Sequence, residues 1–287
     1  MTQTKQTPVH SPHETWHLVD PRDHEVRLVV CDMDGTLLDE SGRIPQGFAE
    51  LIDDLDEAGI SFVPASGRPY PTLSGMFTDF PKINTLVSEN GCMVVREGTI
   101  VSMSTVAPAD VEQIMDIAEQ SGRDLGVILC GRGGAWVERT DEAFVEHVGE
   151  YFSQLTGVEN LREIDDDILK VAIYDFGDPT ELINGRLAPL ARTHQVVHSA
   201  EHWIDIMAAG SNKGTAVQSL QDALGVTRAQ TVAFGDYYND AEMLDAADLS
   251  FAIGNAHPGI QERARYVAPT NAEQGVVTVL RHLLDRD

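Results

Sequence analysis

The chain has 287 residues and is strongly acidic, with 46 Asp and Glu against 20 Lys and Arg and a formal net charge of −26. Nucleic acids and anionic membranes are both bound through basic patches, so this charge balance argues against either as a partner. A hydrophobic fraction of 42% supplies a sizeable core and argues against a disordered acidic protein. The length suggests one large or two ordinary domains.

The start of the chain differs in character from the rest. Residues 1–25 show no hydrophobic periodicity and contain three prolines, so they are predicted to be a flexible tail. They lack the apolar segment of a secretory signal, and no apolar run has the length of a membrane span. The three cysteines are widely spaced, which fits buried free thiols better than disulfides. We therefore predict a cytoplasmic protein, with the oligomeric state left open.

The first predicted elements form a strand–helix–strand unit. Residues 27–31 are an apolar run typical of a strand buried on both faces. Apolar residues from 44 to 58 recur at helical spacing, and Gly59 follows them as a helix-ending glycine would. Residues 60–65 and 85–88 predict two further strands. This order implies a right-handed parallel crossover.

The same alternation returns near the end of the chain, after a long insert. A helix is predicted from Lys213, followed by strands at 231–234, 249–253 and 266–267 and a closing helix at 276–284. The insert, residues 90–202, alternates short candidate strands with helical stretches at 108–120, 142–155 and 180–192, which is typical of an α+β module. The predicted fold class is therefore α/β. A doubly wound, mostly parallel, Rossmann-like core (26–89 and 203–287) carries an inserted α+β cap (90–202).

Two acidic residues follow the first predicted strand. Asp32 and Asp34 are two positions apart on an extended segment, so both carboxylates face one site at the carboxyl end of the strand. Without a cation the two would repel each other, which indicates either a bound metal or one protonated carboxyl. The alternative is an ordinary turn that caps a helix.

Two further motifs offer groups that suit a phosphate. Ser66 and Gly67 follow the second strand, where a hydroxyl and a backbone N–H can both approach an anion. Lys213 stands at a predicted helix N-terminus, where its charge adds to free N–H groups. A lysine with a purely structural role would be favoured at the other end of the helix. Only four lysines occur in the chain, so this position favours a functional role.

A fourth motif follows the strand that ends at residue 234. Asp236 and Asp240 could supply oxygen ligands to Mg²⁺, which takes few carboxylates and keeps several waters. Asp240 could instead serve only to cap a helix.

In this order, each at a strand or helix end, the four motifs resemble the haloacid dehalogenase superfamily. Within it the closest resemblance is to Cof-type phosphatases, which have a type IIB α+β cap between the second and third motifs. The resemblance covers about residues 27–286, and Glu89-Asn-Gly91 and Gly254-Asn-Ala256 add to it.

The resemblance implies Mg²⁺-dependent hydrolysis of a phosphomonoester of a small metabolite, such as a sugar phosphate. It implies that Asp32 is the nucleophile, forming an aspartyl-phosphate, and that Asp34 is the general acid and base. The phosphate-binding residues it implies are Ser66, Gly67, Lys213 and Asn239. The Mg²⁺ ligands it implies are Asp32, Asp34 through its backbone carbonyl, Asp236 and Asp240.

Two alternative functions remain open from the sequence. A phosphomutase would pass the phosphoryl group to a second hydroxyl of its substrate. A non-catalytic sugar-phosphate sensor would use the same fold, although a binding protein has no need of paired Asp32 and Asp34. The histidines at 194, 198 and 202 have a spacing of four, but Val196 and Val197 favour a strand there. A strand argues against a shared zinc site and leaves open a contact of one histidine with the substrate.

Overall fold

The computed structural model describes residues 15–149, 151–152 and 154–285. Residues 1–14 of the predicted tail lie outside the described residues. The strands are, in chain order, β1 (Leu28–Asp32), β2 (Ser61–Ala65), β3 (Thr85–Ser88), β4 (Met93–Arg96), β5 (Thr99–Met103), β6 (Leu125–Gly131), β7 (Ala135–Val137), β8 (Leu155–Gly157), β9 (Ile168–Asp175), β10 (His194–Ala200), β11 (Trp203–Ala208), β12 (Thr231–Gly235), β13 (Leu249–Ala252) and β14 (Tyr266–Val267). The helices are α1 (Phe48–Glu57), α2 (Tyr70–Met76), α3 (Pro108–Glu119), α4 (Glu142–Val148), α5 (Pro179–Asn184), α6 (Lys213–Leu224), α7 (Ala241–Asp245), α8 (Pro258–Arg263) and α9 (Gly275–Leu284).

The core is an eight-stranded sheet in the order β14-β13-β12-β1-β2-β3-β4-β5, parallel from β14 to β3. All five residues of β1 are buried, as expected for a strand covered on both faces. Helices α1 and α9 contribute to the apolar cluster on one face, and α6, α7 and α8 to the cluster on the other. The predicted α/β, doubly wound core is confirmed.

The cap contains a second sheet, in the order β10-β11-β9-β6-β7-β8, which is antiparallel except for the β7–β8 pair. Helices α3 and α5 pack on one face. The other face packs against α4 and Phe152. The predicted helix over 142–155 is wrong beyond Val148, so Tyr151 and Phe152 follow the helix instead of belonging to it.

Both predicted boundaries of the insert differ from the structure. The predicted insert includes β4 and β5, but β4 pairs with β3 and β5 with β4, both antiparallel, so these strands extend the core sheet and the insert begins after Met103. The predicted core includes β11, but this strand pairs with β9 and β10 in the cap sheet, so the core resumes after Ala208. A hairpin has the same sequence pattern whichever sheet it joins, which explains both errors.

The predicted tail also ends earlier than residue 25. Thr15 N–H donates to the Val267 carbonyl at 2.9 Å, and Val19 is buried in the core cluster beside α9. The Nε2 atom of His282 lies 2.8 Å from the Val19 carbonyl oxygen. Residues 15–25 therefore pack on the core. Among the described residues, no helix combines the length and apolar character that a membrane crossing requires.

Candidate active site

Three of the predicted motifs meet at one edge of the core sheet. Asp32 is the last residue of β1, Ser66 directly follows β2, and Asp236 directly follows β12. These strands are parallel neighbours, so their carboxyl ends share an edge. Open α/β sheets bind ligands at that edge.

The turn after β1 requires a glycine. Gly35 has φ 80°, in the left-handed region that favours glycine. A Cβ at this position would overlap the Asp236 carboxylate. Glycine at position 35 therefore permits this turn between Asp34 and Thr36 and leaves space for the Asp236 carboxylate.

Lys213 lies between two carboxylates at the start of α6. Its Nζ is 2.5 Å from Asp32 Oδ1 and 2.6 Å from Asp240 Oδ1, and all three side chains are buried. Burial alone would lower the pKa of Lys213, but the charges of Asp240 and Asp32 outweigh it and raise that pKa above its ordinary value. We call Lys213, Asp32 and Asp240 the Lys213 cluster. Its lysine is charged and fixes one oxygen of Asp32.

The acidic residues around Asp32 can hold a metal ion. Asp32, Asp236 and Asp240 each offer a carboxylate oxygen, and these oxygens lie within 4.8 Å of one another. Asp32 Oδ2 is buried and has no hydrogen-bond partner among the described residues. An all-oxygen carboxylate set is the kind that Mg²⁺ prefers. The residues present therefore fit a divalent cation.

The charge of this site also favours binding of a divalent cation. Burial, together with the neighbouring Asp240 charge, raises the pKa of Asp32 to about 7. Burial and the charges of Asp32 and Asp240 raise the pKa of Asp236 to about 9. The site thus has more negative charge than Lys213 alone balances, and a divalent cation would supply the missing positive charge.

The side chain of Asp34 pairs with Arg68. Arg68 donates to it through Nε at 2.9 Å and Nη2 at 2.6 Å, a bidentate pair. The hydrogen bonds to Asp34 raise the pKa of Arg68 above its ordinary value. The predicted metal contact of Asp34 through its backbone carbonyl stays a prediction.

A cavity of about 530 Å³ covers the sheet edge between core and cap. The predicted site residues on its wall are Asp32, Asp34, Ser66, Gly67, Asp236 and Asn239. Lys213 and Asp240 are fully buried, in contact with Asp32. The structure therefore brings all the predicted site residues to one place, while their individual roles stay predictions.

Sequence reasoning missed a second buried lysine. Lys170 Nζ lies 2.9 Å from Glu89 Oε2 and 3.5 Å from Asp205 Oδ1, and it donates to the Gly67 carbonyl at 2.8 Å. Asn90 Nδ2 donates to Asp205 Oδ2 at 2.5 Å. We call Lys170, Glu89, Asp205 and Asn90 the Lys170 cluster. The sequence does contain one indication of this cluster, which is a lysine inside the apolar strand β9. Lysine is rarely buried without a partner, so this position implies a carboxylate nearby.

The Lys170 cluster joins the cap to core segments beside the predicted phosphate-binding residues. Lys170 and Asp205 belong to cap strands β9 and β11, whereas Glu89 and Asn90 belong to the core. Asn90 Oδ1 also accepts a hydrogen bond from Asn239 Nδ2 at 3.1 Å. Burial would lower the pKa of Lys170, but the charges of Asp205 and Glu89 raise it above its ordinary value. The cluster thus contains a charged lysine that contacts the Gly67 backbone.

The three cap histidines do not form a joint site. His194 Nε2 lies 3.3 Å from Asp110 Oδ2, and His202 Nδ1 lies 3.0 Å from the Asp175 carbonyl oxygen. His198 lines the cavity instead. His194 and His198 lie on strand β10, in extended rather than helical geometry as predicted, whereas His202 lies in the turn that follows it.

Comparisons with known proteins identify the family of the chain. The family described as haloacid dehalogenase-like hydrolase matches residues 29–280. A 5-amino-6-(5-phospho-D-ribitylamino)uracil phosphatase of Escherichia coli (strain K12) is 30% identical over 269 residues, covering 91% of this chain and 97% of the relative. A Bacillus subtilis (strain 168) phosphatase of the same name is 28% identical, covering 88% and 96%.

A solved structure shows the same architecture. The Streptococcus mutans UA159 protein SMU.1108c superposes with a TM-score of 0.83 at 28% identity, covering 90% of this chain and 99% of the other. The family match spans both halves of the core and the cap between them. The chain therefore belongs to the haloacid dehalogenase-like hydrolase family, as its motifs indicated, and is a hydrolase of the phosphatase type.

Proposed function

We propose that this enzyme hydrolyses a phosphomonoester of a small metabolite in a Mg²⁺-dependent reaction through an aspartyl-phosphate on Asp32. The observation that carries the proposal is the state of the Asp32 carboxylate. Lys213 holds Oδ1, while Oδ2 has no hydrogen-bond partner among the described residues and Asp32 borders the cavity. A cation thus orients Asp32 at the edge of the cavity, as an attacking carboxylate requires.

In the first step, an oxygen of Asp32 attacks phosphorus and the bond from phosphorus to the ester oxygen breaks. Asp34, in its protonated form, gives its proton to the departing alkoxide. The carboxylate that Arg68 holds is the form without that proton, so the pair must open when the substrate binds. In the second step, Asp34 takes a proton from water, and the water oxygen attacks the phosphorus of the aspartyl-phosphate. Phosphate leaves and the Asp32 carboxylate is restored.

The other polar groups position the phosphoryl oxygens. Ser66, Gly67 and Asn239 line the same cavity as Asp32 and offer a hydroxyl, a backbone N–H and an amide. Asp32, Asp236 and Asp240 would hold Mg²⁺, which when bound neutralises charge on the transferring group. Positioning and charge neutralisation are the main demands of phosphoryl transfer.

The test is phosphate release from a panel of metabolite phosphates, with Mg²⁺ and with EDTA. The panel includes 5-amino-6-(5-phospho-D-ribitylamino)uracil, the ester in the names of the E. coli and B. subtilis relatives. We expect metal-dependent turnover that Asp32→Asn abolishes and Asp53→Asn, an exposed carboxylate on α1, does not. Isomerised sugar phosphate without free phosphate would indicate a mutase, and binding without turnover by the native protein would indicate a sensor.

A further inference from the structure

The cavity has two chemically distinct parts. Its floor, at the core sheet edge, contains the carboxylates and the phosphate-binding groups described above. Its cap side is aromatic: Tyr151 is half-buried on the wall, and Phe152 and Trp203, which are 6% and 7% exposed, contribute the small parts of their side chains that the cap core leaves uncovered. The Trp203 ring centroid lies 5.6 Å from that of Tyr151 and 5.8 Å from that of Phe152. A phosphate group is charged and is not bound by aromatic surface. We therefore expect the wall to contact the alcohol part of the ester.

The cap hairpin next to Trp203 contains a β-bulge. The pairing of β10 with β11 shifts register between His198 and Ala200, which leaves Ser199 as a bulge. In a regular strand, neighbouring side chains alternate between the two faces of the sheet. Here His198, Ser199, Ala200 and Glu201 all line the cavity. Bulges redirect side chains in this way and are frequent beside active sites.

Arg68 connects the two parts of the cavity. Its guanidinium pairs with Asp34 on the floor and lies 5.5 Å from the Tyr151 ring centroid on the wall. Asp34 marks the position of the ester oxygen, since it would protonate that oxygen. An alcohol leaving from Asp34 therefore extends past Arg68 toward Tyr151 and Trp203.

We infer that the aromatic wall binds a planar nitrogen heterocycle at the far end of the leaving group. The substrate class would be a phosphate ester of a short polyol chain that carries such a ring. A planar ring can pack against these aromatic side chains, chiefly against Tyr151, and the hydroxyl, imidazole and carboxylate of Ser199, His198 and Glu201 supply donors and acceptors for polar ring edges. This inference rests on the proposed function, because it assigns the phosphate end of the substrate to Asp32.

The substrate named for the E. coli relative supports this class, since it joins a uracil ring to a phosphorylated ribityl chain. The cavity volume of about 530 Å³ is within the range of pockets that enclose whole small ligands, so it leaves room beyond the phosphate.

The experiment compares two esters that differ only in the substituent on C1 of the ribityl chain, which is an amino-linked uracil ring in 5-amino-6-(5-phospho-D-ribitylamino)uracil and a hydroxyl in ribitol 5-phosphate. We expect kcat/KM for the ring-bearing ester to exceed that for ribitol 5-phosphate by about tenfold or more. Trp203→Leu should lower the first value about tenfold and leave the second within about twofold. Tyr151→Leu, at a half-buried position, should show the same selectivity if Trp203→Leu folds poorly. Trp136→Leu, in cap strand β7, is the matched control and should affect both esters equally.

A binding measurement separates this inference from the proposed function. Calorimetric titration of each ester into Asp32→Asn protein gives the ratio of the two dissociation constants without any turnover. A ratio near one, or equal losses for both esters in Trp203→Leu and Tyr151→Leu, would overturn the ring site. Retained activity in Asp32→Asn would overturn the mechanism while the affinity ratio still decides the ring site.

Discussion

Two buried lysines, Lys213 and Lys170, have similar surroundings but connect different parts of the molecule. Each ammonium group lies among two carboxylates, with side chains 0% and 4% exposed. Lys213 contacts Asp32 and Asp240, which also belong to the candidate metal site. Lys170 contacts Glu89 and Asp205 and joins the cap to the Gly67 backbone.

A buried lysine between two carboxylates can thus support the reaction in one place and join two domains in another. Beside the Lys213 cluster a third carboxylate, Asp236, lies within reach of Asp32 and Asp240, so three carboxylates face one lysine and further positive charge can bind. In the Lys170 cluster a lysine and an asparagine amide contact the two carboxylates at the cap–core junction. We therefore expect substitutions in the first cluster to act on the chemical step and on metal binding. Substitutions in the second should act on stability and positioning.

The largest effect is expected for Lys213→Met. Loss of the cation that orients Asp32 should lower kcat by about a thousandfold. The substitution leaves Asp32 and Asp240 without their lysine, and Mg²⁺ should restore part of the lost thermal stability because it binds the same carboxylates. Steady-state kinetics and thermal unfolding with and without Mg²⁺ measure both effects. Lys82→Met, at a partly exposed lysine, is the control, and activity above a tenth of native in Lys213→Met would contradict the account.

Lys170→Met should reduce kcat/KM less but destabilise the fold more directly. It leaves Glu89 and Asp205 buried without a cation, and removing one partner of a buried ion pair costs about 3–5 kcal/mol. Displacement of the Gly67 carbonyl should lower kcat/KM by about tenfold to a hundredfold. Denaturant unfolding and kinetics test this, with Lys82→Met again as the control. If Mg²⁺ stabilised this variant by more than it stabilises native protein, the proposed contrast between the clusters would fail.

The pH dependence of stability provides a third test. In the metal-free protein the pKa values of Asp32 and Asp236 rise from 3.8 to about 7 and about 9. The folded state then holds protons that the unfolded state has lost between about pH 4 and 9, so stability falls as pH rises. Asp32 alone accounts for up to about 1.4 kcal/mol per pH unit in its part of that range.

Mg²⁺ competes with these protons, so the rise in Tm that it causes should be larger at pH 8.5 than at pH 6. Thermal unfolding in EDTA and in Mg²⁺ at both pH values measures this difference. A Mg²⁺ effect that is equal at both pH values, or larger at pH 6, would show that the ion binds elsewhere.

The smallest effect is expected from salt. A chain with net charge −26 repels an anionic substrate at long range, and only local cations near the site oppose that field. Raising the ionic strength moderately should therefore leave kcat/KM unchanged or increase it slightly. Initial rates over a salt series at fixed Mg²⁺ test the point, and a steep fall in kcat/KM would mean that a positive surface captures the substrate.

The floor of the site was predictable from the sequence because its determinants are local. Asp32, Ser66 and Asp236 each follow a recognisable strand, and parallel neighbouring strands bring such positions together. Lys213 was predictable because a lysine at a helix N-terminus is unfavourable without an anionic partner. These positions depend on spacing within short segments and not on distant pairing.

The cap side was not predictable for the opposite reason. Lys170 meets Glu89 only because β9 of the cap lies over the end of β3, a contact between residues 81 positions apart. Tyr151 reaches the cavity because α4 ends at Val148, where the helical pattern of the sequence continues. Strand β11 joins the cap sheet through antiparallel pairing that its own residues do not specify. Tertiary contacts decide each of these features.

The central claim is that Asp32 becomes phosphorylated during turnover. It is tested most directly by rapid quenching of the enzyme with a labelled phosphomonoester substrate and Mg²⁺, followed by peptide mapping of the bound phosphate. The account predicts acid-stable, base-labile phosphate on the peptide that contains Asp32, absent from Asp32→Asn and present in Lys82→Met. Phosphate on another residue, or full turnover by Asp32→Asn with no phosphoenzyme, would contradict it.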